Sequence, residues 1–196
     1  MIEAIRIWIR SMVYDQNPLP TLTTLFNNYG IKKTDLHFDD FMGCIALSSN
    51  KKYDFVIYTD GACLGNPGSG GWAAIIINKF NKKNELSGSE KNTTNNRMEL
   101  LACINALSFT KSKDKLKIYT DSKYVIDGIK DWILKWKNNG WLTANKKSVK
   151  NVDLWVKLDL LIKDKEIEWE WVKGHSGNKF NEEADSLARK KAGSLN

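Results

Sequence analysis

Four carboxylates stand where an acidic side chain meets apolar sequence. Asp60 directly follows the apolar run Phe55 to Thr59, and Asp121 directly follows Leu116 to Thr120. Glu99 falls in the first turn of an expected helix, and Asp185 lies within Ala184-Asp185-Ser186-Leu187-Ala188. Burying a carboxylate against apolar surface is unfavourable unless it has a partner. The neighbouring motifs offer only further carboxylates, and like charges at close range repel. A divalent cation held between them resolves both problems. Ligand sets made of oxygen alone select hard ions such as Mg²⁺ or Mn²⁺. Four carboxylates can hold two such ions roughly 4 Å apart, the arrangement of in-line phosphoryl transfer, where one ion activates a water and the other stabilises the leaving oxygen. Taken singly, the same residues have plainer roles. An Asp at a strand end caps a turn, and Glu99 pairs with Arg97 or a lysine. Sequence distance alone does not show that the four converge.

A second chemistry-bearing stretch is basic and aromatic. Residues 130–150 carry Lys130, Lys135, Lys137, Lys146, Lys147 and Lys150 against one acid, Asp131, with Trp132, Trp136 and Trp141 interleaved. Lysines that neutralise phosphates gain affinity through counterion release, and flat aromatic faces pack on sugars or bases. Trp132 and Trp136, at i and i+4, suit core packing equally well, with the lysines as a solvated face. The whole chain has a net charge of +7, but residues 1–50 hold four basic and five acidic side chains. The basic character therefore belongs to the remaining 146 residues and suits a polyanionic partner.

The elements that must position these groups are legible from periodicity. Phe55–Thr59 reads as a buried strand, Gly61–Gly71 as a glycine-rich turn, and Trp72–Ile77 and Lys83–Gly88 as strands joined by a polar turn. Arg97–Phe109 reads as a helix buried on much of its surface, Leu116–Thr120 as a strand, and Ser122 as the cap of a helix to about Ile129. Trp132–Trp136 and Val152–Ile162 read as helices, Ile167–Val172 as a half-exposed strand and Asn181–Lys191 as a closing helix. This β-β-β-α-β-α-α-α-β-α order predicts an α/β fold, a mixed five-stranded sheet flanked by helices. Asp60 and Asp121 would then lie at strand ends, where open α/β sheets form ligand crevices.

Ser48 to Lys52 marks a break, dividing residues 1–50 from 51–196. Before it, Ile2, Ile5, Ile9 and Val13 share a helical face, Asn17-Pro18-Leu19-Pro20 interrupts any helix, and Thr21–Tyr29 reads as a second helix ended by Gly30. About 50 residues bury little core alone, so this helical extension is expected to pack on the main domain or to recruit a protein partner. At 42% hydrophobic and 27% charged, the chain has the composition of a soluble globular protein. It has no apolar run near the ~18 residues that a membrane span needs. The first ten residues include Glu3 and lack a clean signal-peptide pattern. Cys44, Cys63 and Cys103 are odd in number and widely spaced, which disfavours a disulfide framework or zinc site and suits a reducing, cytoplasmic setting.

The wording of the motifs resembles one family. Tyr58-Thr59-Asp60-Gly61-Ala62-Cys63-Leu64-Gly65-Asn66-Pro67-Gly68 and Thr93-Thr94-Asn95-Asn96-Arg97-Met98-Glu99-Leu100 look like the first two motifs of the type 1 ribonucleases H. Tyr119-Thr120-Asp121-Ser122-Lys123-Tyr124-Val125, Trp171-Val172-Lys173-Gly174-His175-Ser176-Gly177 and Asn181 to Ala188 resemble the others, in the same order across about residues 52–193. The resemblance implies a monomeric endonuclease with the ribonuclease H-like fold. It would cut the RNA strand of RNA–DNA hybrids with two Mg²⁺ ions, Mn²⁺ able to substitute, and leave 5′-phosphate and 3′-hydroxyl ends.

It further implies that Asp60, Glu99, Asp121 and Asp185 hold metal, and that His175, on a flexible glycine-flanked loop, assists proton transfer or product release, a task suited to a group titrating near neutrality. Asn66, Asn95 and Asn96 would lie at the minor groove, where the 2′-hydroxyl distinguishes RNA. Thr94 and Asn66 would meet a DNA phosphate, and Cys63 would lie near substrate or simply fill a packed position. Lys123 stands where many relatives have glutamine, which leaves open whether it reaches a base edge or a phosphate. The segment with Trp132, Trp136, Lys137, Trp141, Lys146 and Lys147 resembles the basic protrusion that grips the DNA strand. A hybrid-binding module without cleavage would not need the carboxylates and His175. A DNA-cutting relative such as an integrase would carry three carboxylates and lack the Thr-Asn-Asn-Arg-Met-Glu motif and the protrusion. Residues 1–50 do not resemble the family's hybrid-binding extension, which is aromatic and basic.

Overall fold

A computed structural model describes residues 52–195. The two helices and the Pro-containing break expected within residues 1–50 lie outside these. Five strands form one mixed sheet in the order β3-β2-β1-β4-β5: β1 Phe55–Gly65, β2 Gly68–Asn78, β3 Lys83–Thr93, β4 Lys115–Thr120 and β5 Glu166–Trp171. The first three pair antiparallel, while β4 runs parallel to both β1 and β5. The helices are α1 Asn95–Phe109, α2 Lys123–Asp127, α3 Ile133–Asn138, α4 Val152–Ile162 and α5 Lys179–Gly193. The α/β class and the element order agree with the expectation. Among the described residues, no helix is long and apolar enough to cross a membrane.

The helices cover both faces of the sheet. Successive strand residues point to opposite faces. A Cβ on Gly70 would meet Met98 of α1, and one on Gly71 would strike the backbone of Ala188 and Ala192 on α5. α1 and α5 therefore lie on opposite sides of β2. This sandwiching explains why Ala73, Ala74, Ile75 and Ile76 are all fully buried, since a strand covered on both faces reads as a continuous apolar run. The main core joins Ile57, Ile118, Leu100, Ile104, Leu107, Trp155 and Leu158 between the sheet, α1 and α4. Arg97 ties α1 to α4 through two 3.0 Å hydrogen bonds to the Asp153 carboxylate.

Three local expectations are corrected. Gly61–Gly71 is not a turn: β1 continues to Gly65 and β2 begins at Gly68, paired from Gly61↔Trp72 to Gly65↔Gly68. Its glycines permit close approach, because a Cβ on Gly61 would lie 2.3 Å from the Glu99 amide nitrogen. Asp60 accordingly sits within β1 and pairs with Ala73, rather than standing after the strand. The helix capped by Ser122, whose Oγ accepts from the Val125 amide at 3.3 Å, ends at Asp127 and passes into a π-helical turn over Gly128–Trp132. Gly128 makes that turn possible, since its Cβ would overlap the buried ring of Trp155.

Candidate active site

The parallel register of β1 and β4 aligns Tyr58 with Tyr119 and Thr59 with Thr120. The next residues are Asp60, still within β1, and Asp121, directly after the last residue of β4, so the register brings these two carboxylates to neighbouring points. α1 begins where β3 ends, and the close approach at Gly61 lays its first turn on β1. Glu99 therefore reaches the same point from a third element. Carboxylate oxygens of Asp60, Glu99 and Asp121 all lie within 4.8 Å of one another. Asp60 and Glu99 are buried at 4% and 5% exposure.

Crowding of like charges away from water favours the neutral acids. Burial, then the charges of Asp121 and Asp185, pushes the Asp60 carboxyl up to about 9. Burial, then Asp60 and Asp121, raises Glu99 well above the usual carboxylate range, against a weaker pull from the Asn95 amide. Asp60 Oδ2, Glu99 Oε2 and Asp121 Oδ1 are buried without any hydrogen-bond partner. Buried polar atoms are normally satisfied. Three orphaned oxygens, one on each of three clustered carboxylates, fit a hard cation, and the donor set contains oxygen alone.

Asp185 joins from α5 in a different state. Its Oδ1 accepts from Arg189 Nε at 2.6 Å, and its Oδ2 lies 3.9 Å from His175 Nδ1. His175 is exposed and adopts a φ of 52°, in the left-handed region. The loop that carries it is pinned. Ser176 Oγ donates to the Lys173 carbonyl at 2.6 Å, the Gly177 amide donates to Glu182 at 2.9 Å, and Asn178 caps α5. Gly174 passes so close that a Cβ there would lie 2.6 Å from Asp121 Oδ2.

One open cleft of about 440 Å³ is lined by Asp60, Glu99, Asp121, Asp185 and His175, and also by Cys63, Asn95, Asn96 and Lys123. Asn95 faces inward and donates to Glu99 Oε1 at 3.3 Å. Cys63 donates to the Thr93 carbonyl at 3.4 Å. The Lys123 ammonium lies 5.3 Å from the centre of the Trp171 ring, and that indole donates to the Asp121 carbonyl at 3.0 Å. Asn66 and Thr94 stand outside the cleft lining at the start of α1, where Asn66 Oδ1 accepts from the Asn95 amide at 3.3 Å and Thr94 is the N-cap.

None of the basic segment's residues lines the cleft, though the segment adjoins the cleft-lining Tyr124 through Trp132. Trp132 and Trp136 join Tyr124 and Trp155 in a ring of four aromatics, with neighbouring centroids 5.3–5.7 Å apart. Trp136 and Trp141 also pack against the core. Lys137 pairs with Asp159 at 2.8 Å, while Lys146 and Lys147 lie exposed on the following loop. Arg189, Trp171 and Gly174 are site residues that sequence reasoning missed. Trp171 and Gly174 stood in the family motif around His175 without an assigned task, and Arg189 left a signal in its i+4 spacing from Asp185 on a helix.

A 3-2-1-4-5 sheet with acidic residues at neighbouring points of its central parallel pair, closed by helices on both faces, defines the ribonuclease H-like fold class. The RNase H family model matches residues 52–193. Ribonuclease H of Wolbachia pipientis wMel is 60% identical over 139 residues, covering 71% of this chain and 95% of that protein. Ribonuclease H of Francisella tularensis subsp. novicida (strain U112) is 57% identical over 141 residues, covering 71% and 91%. Among solved structures, LC9-RNase H1, a type 1 RNase H with the type 2 active-site motif, is 28% identical with a TM-score of 0.66, covering 74% of this chain and 75% of that one. The chain belongs to the ribonuclease H family, in its type 1 branch, and is a phosphodiester-hydrolysing nuclease.

Proposed function

We propose that residues 51–196 form the catalytic domain of a monomeric, cytoplasmic endonuclease that hydrolyses the RNA strand of RNA–DNA hybrids, leaving 5′-phosphate and 3′-hydroxyl ends. The observation that carries this reading is the trio of buried, partnerless oxygens on Asp60, Glu99 and Asp121. These residues, with Asp185, would hold two Mg²⁺ ions, or Mn²⁺ in their place. Bound there, the ions would activate the attacking water and neutralise charge developing on the leaving oxygen. Asp60 and Glu99 then ionise, because a cation reverses the repulsion that keeps them neutral. His175 stands exposed at the cleft rim and exchanges a proton at its imidazole with the leaving side of the scissile phosphate. Asn95 and Asn96 face the minor groove from the start of α1, Cys63 and Lys123 flank the cleft, and Asn66 and Thr94 lie by the DNA strand. Lys137, Lys146 and Lys147 meet the DNA backbone on a protrusion held by Trp132, Trp136 and Trp141. The free thiols of Cys63 and Cys103 suit a reducing compartment.

A labelled hybrid incubated with Mg²⁺, beside Asp60→Asn and an EDTA control, tests the reading. Cutting of the RNA strand alone, with 5′-phosphate products and loss in both controls, is expected. Hybrid binding without cutting in Mg²⁺ or Mn²⁺ would refute it. For residues 1–50 we propose recruitment of a protein partner, since their net negative charge suits neither strand of a hybrid. Unaltered stability, activity and partner capture after deletion of residues 1–50 would end that idea.

A further inference from the structure

The two-metal reading leaves Arg189 without a task. It lies one turn beyond Asp185 on α5, its side chain 60% exposed against 21% for Asp185. Its Nε donates to Asp185 Oδ1 at 2.6 Å, and its Nη2 lies 3.5 Å from His175 Nε2. His175 Nδ1 in turn lies 3.9 Å from Asp185 Oδ2. The three side chains thus close on one another at one wall of the cleft.

The two halves of the carboxylate set differ in what an arriving ion meets. Asp60, Glu99 and Asp121 each keep a buried oxygen with no partner, so an ion among them displaces nothing from the protein. Asp185 is already engaged by a cation. An arginine does not lose its charge in a protein, so it can free Asp185 only by swinging away. Even then its guanidinium stays within a side chain's length as a like charge.

We infer that Arg189 is a positioning residue that competes with the second metal ion for Asp185. It keeps that site the weaker of the two and draws Asp185 back beside His175 when the ion departs. The inference rests on the two-metal reading. Its size follows from two small effects, the breaking of a solvent-exposed i,i+4 pair and repulsion across a wet cleft. Together they weaken ion binding at Asp185 by about threefold to tenfold.

The test is Mn²⁺ binding to the full-length, metal-stripped protein without substrate, read from the EPR signal of free hydrated Mn²⁺. Arg189→Met keeps side-chain length and helix propensity while removing the charge, Arg189→Lys keeps the charge but not the fork, and Asp185→Asn marks the weaker site. Wild type should show two classes of site. Arg189→Met should tighten the weaker class by about threefold to tenfold and leave the tighter class in place, and Arg189→Lys should change it less. If Arg189 only props Asp185 for the ion, Arg189→Met would loosen the weaker class. That result, or no change, overturns the inference. A single class of one ion per wild-type chain would overturn the two-metal reading itself, and the inference with it. Should Arg189→Met fail to fold, Arg189→Gln at this exposed position carries the same comparison.

Discussion

Replacing Asp60 with asparagine should stabilise the metal-free protein, and the gain should grow with pH. Burial and the neighbouring carboxylates raise Asp60 from its ordinary 3.8 to about 9. The folded protein therefore keeps a proton that the unfolded chain releases above about pH 4. Stability falls with rising pH wherever the folded state binds more protons, by up to about 1.4 kcal/mol per pH unit for one group. The contribution of the neutral acid is fully present below the unfolded value and lost as pH climbs toward the folded one. From about pH 5.5 to about pH 7.5 the expected loss is about 2–3 kcal/mol. Glu99, raised by the same causes, adds to it in the same direction. In a domain of this size that corresponds to a fall in Tm of roughly 5–10 °C. Asp60→Asn keeps the side-chain shape and removes the titration. Thermal unfolding at the two pH values, in EDTA and in Mg²⁺, measures the effect. In EDTA the wild-type Tm should drop across the interval while the variant's drops less, and Mg²⁺ should abolish the wild-type drop. A flat wild-type Tm in EDTA, or a variant no more stable than wild type at the higher pH, would refute the account of a strained acidic cluster.

Other outcomes follow from single contacts. Gly61→Ala should destabilise by about 1–3 kcal/mol and reduce cleavage by about a hundredfold, because the new Cβ meets the Glu99 backbone, not a yielding side chain; chemical denaturation and single-turnover cleavage measure both. Changing Lys146 and Lys147 together to glutamine should lower the slope of log Kd against log salt by about two, with little dependence on hybrid sequence, as filter binding in Ca²⁺ would show. Trp171→Phe removes the indole donor to the Asp121 carbonyl and should lower kcat more than it raises KM, with circular dichroism unchanged.

Much of the fold was legible because its signals are local. Val152–Ile162 matches its observed helix end to end, and the run Ile75, Ile76, Ile77 marks a strand without aid from its neighbours. Gly61–Gly71 misled for a physical reason. Glycine usually signals a turn because of its conformational freedom, yet here Gly61 and Gly71 sit in paired strands because helices press on them. That pressure comes from residues far along the chain and leaves no local mark. The same holds for the π-helical turn at Gly128, which depends on Trp155 filling the space behind it. The convergence of Asp60, Glu99 and Asp121 followed from no spacing rule and was supplied by family wording. Trp132 and Trp136 were ambiguous between platform and core, and their four-ring packing settles only where they sit.

The alignment of β1 with β4 has a manufacturing consequence. Asp60 lies within β1 and Asp121 directly follows the last paired residue of β4, and the gap between such strands is a constant of amide chemistry, about 4.8 Å. The stacked rings of Tyr58 and Tyr119, two positions back on the same two strands, repeat that gap, with centroids 4.8 Å apart. The backbone separation at the two carboxylates is thus set by the strand pairing that ends at Thr59 and Thr120, one residue before them. Mutations that swell or thin the core can tilt the helices bearing Glu99 and Asp185, while the Asp60–Asp121 interval stays to tolerance. Drift in sequence should degrade this site first at its helical members, and last at the pair cut to length by the sheet.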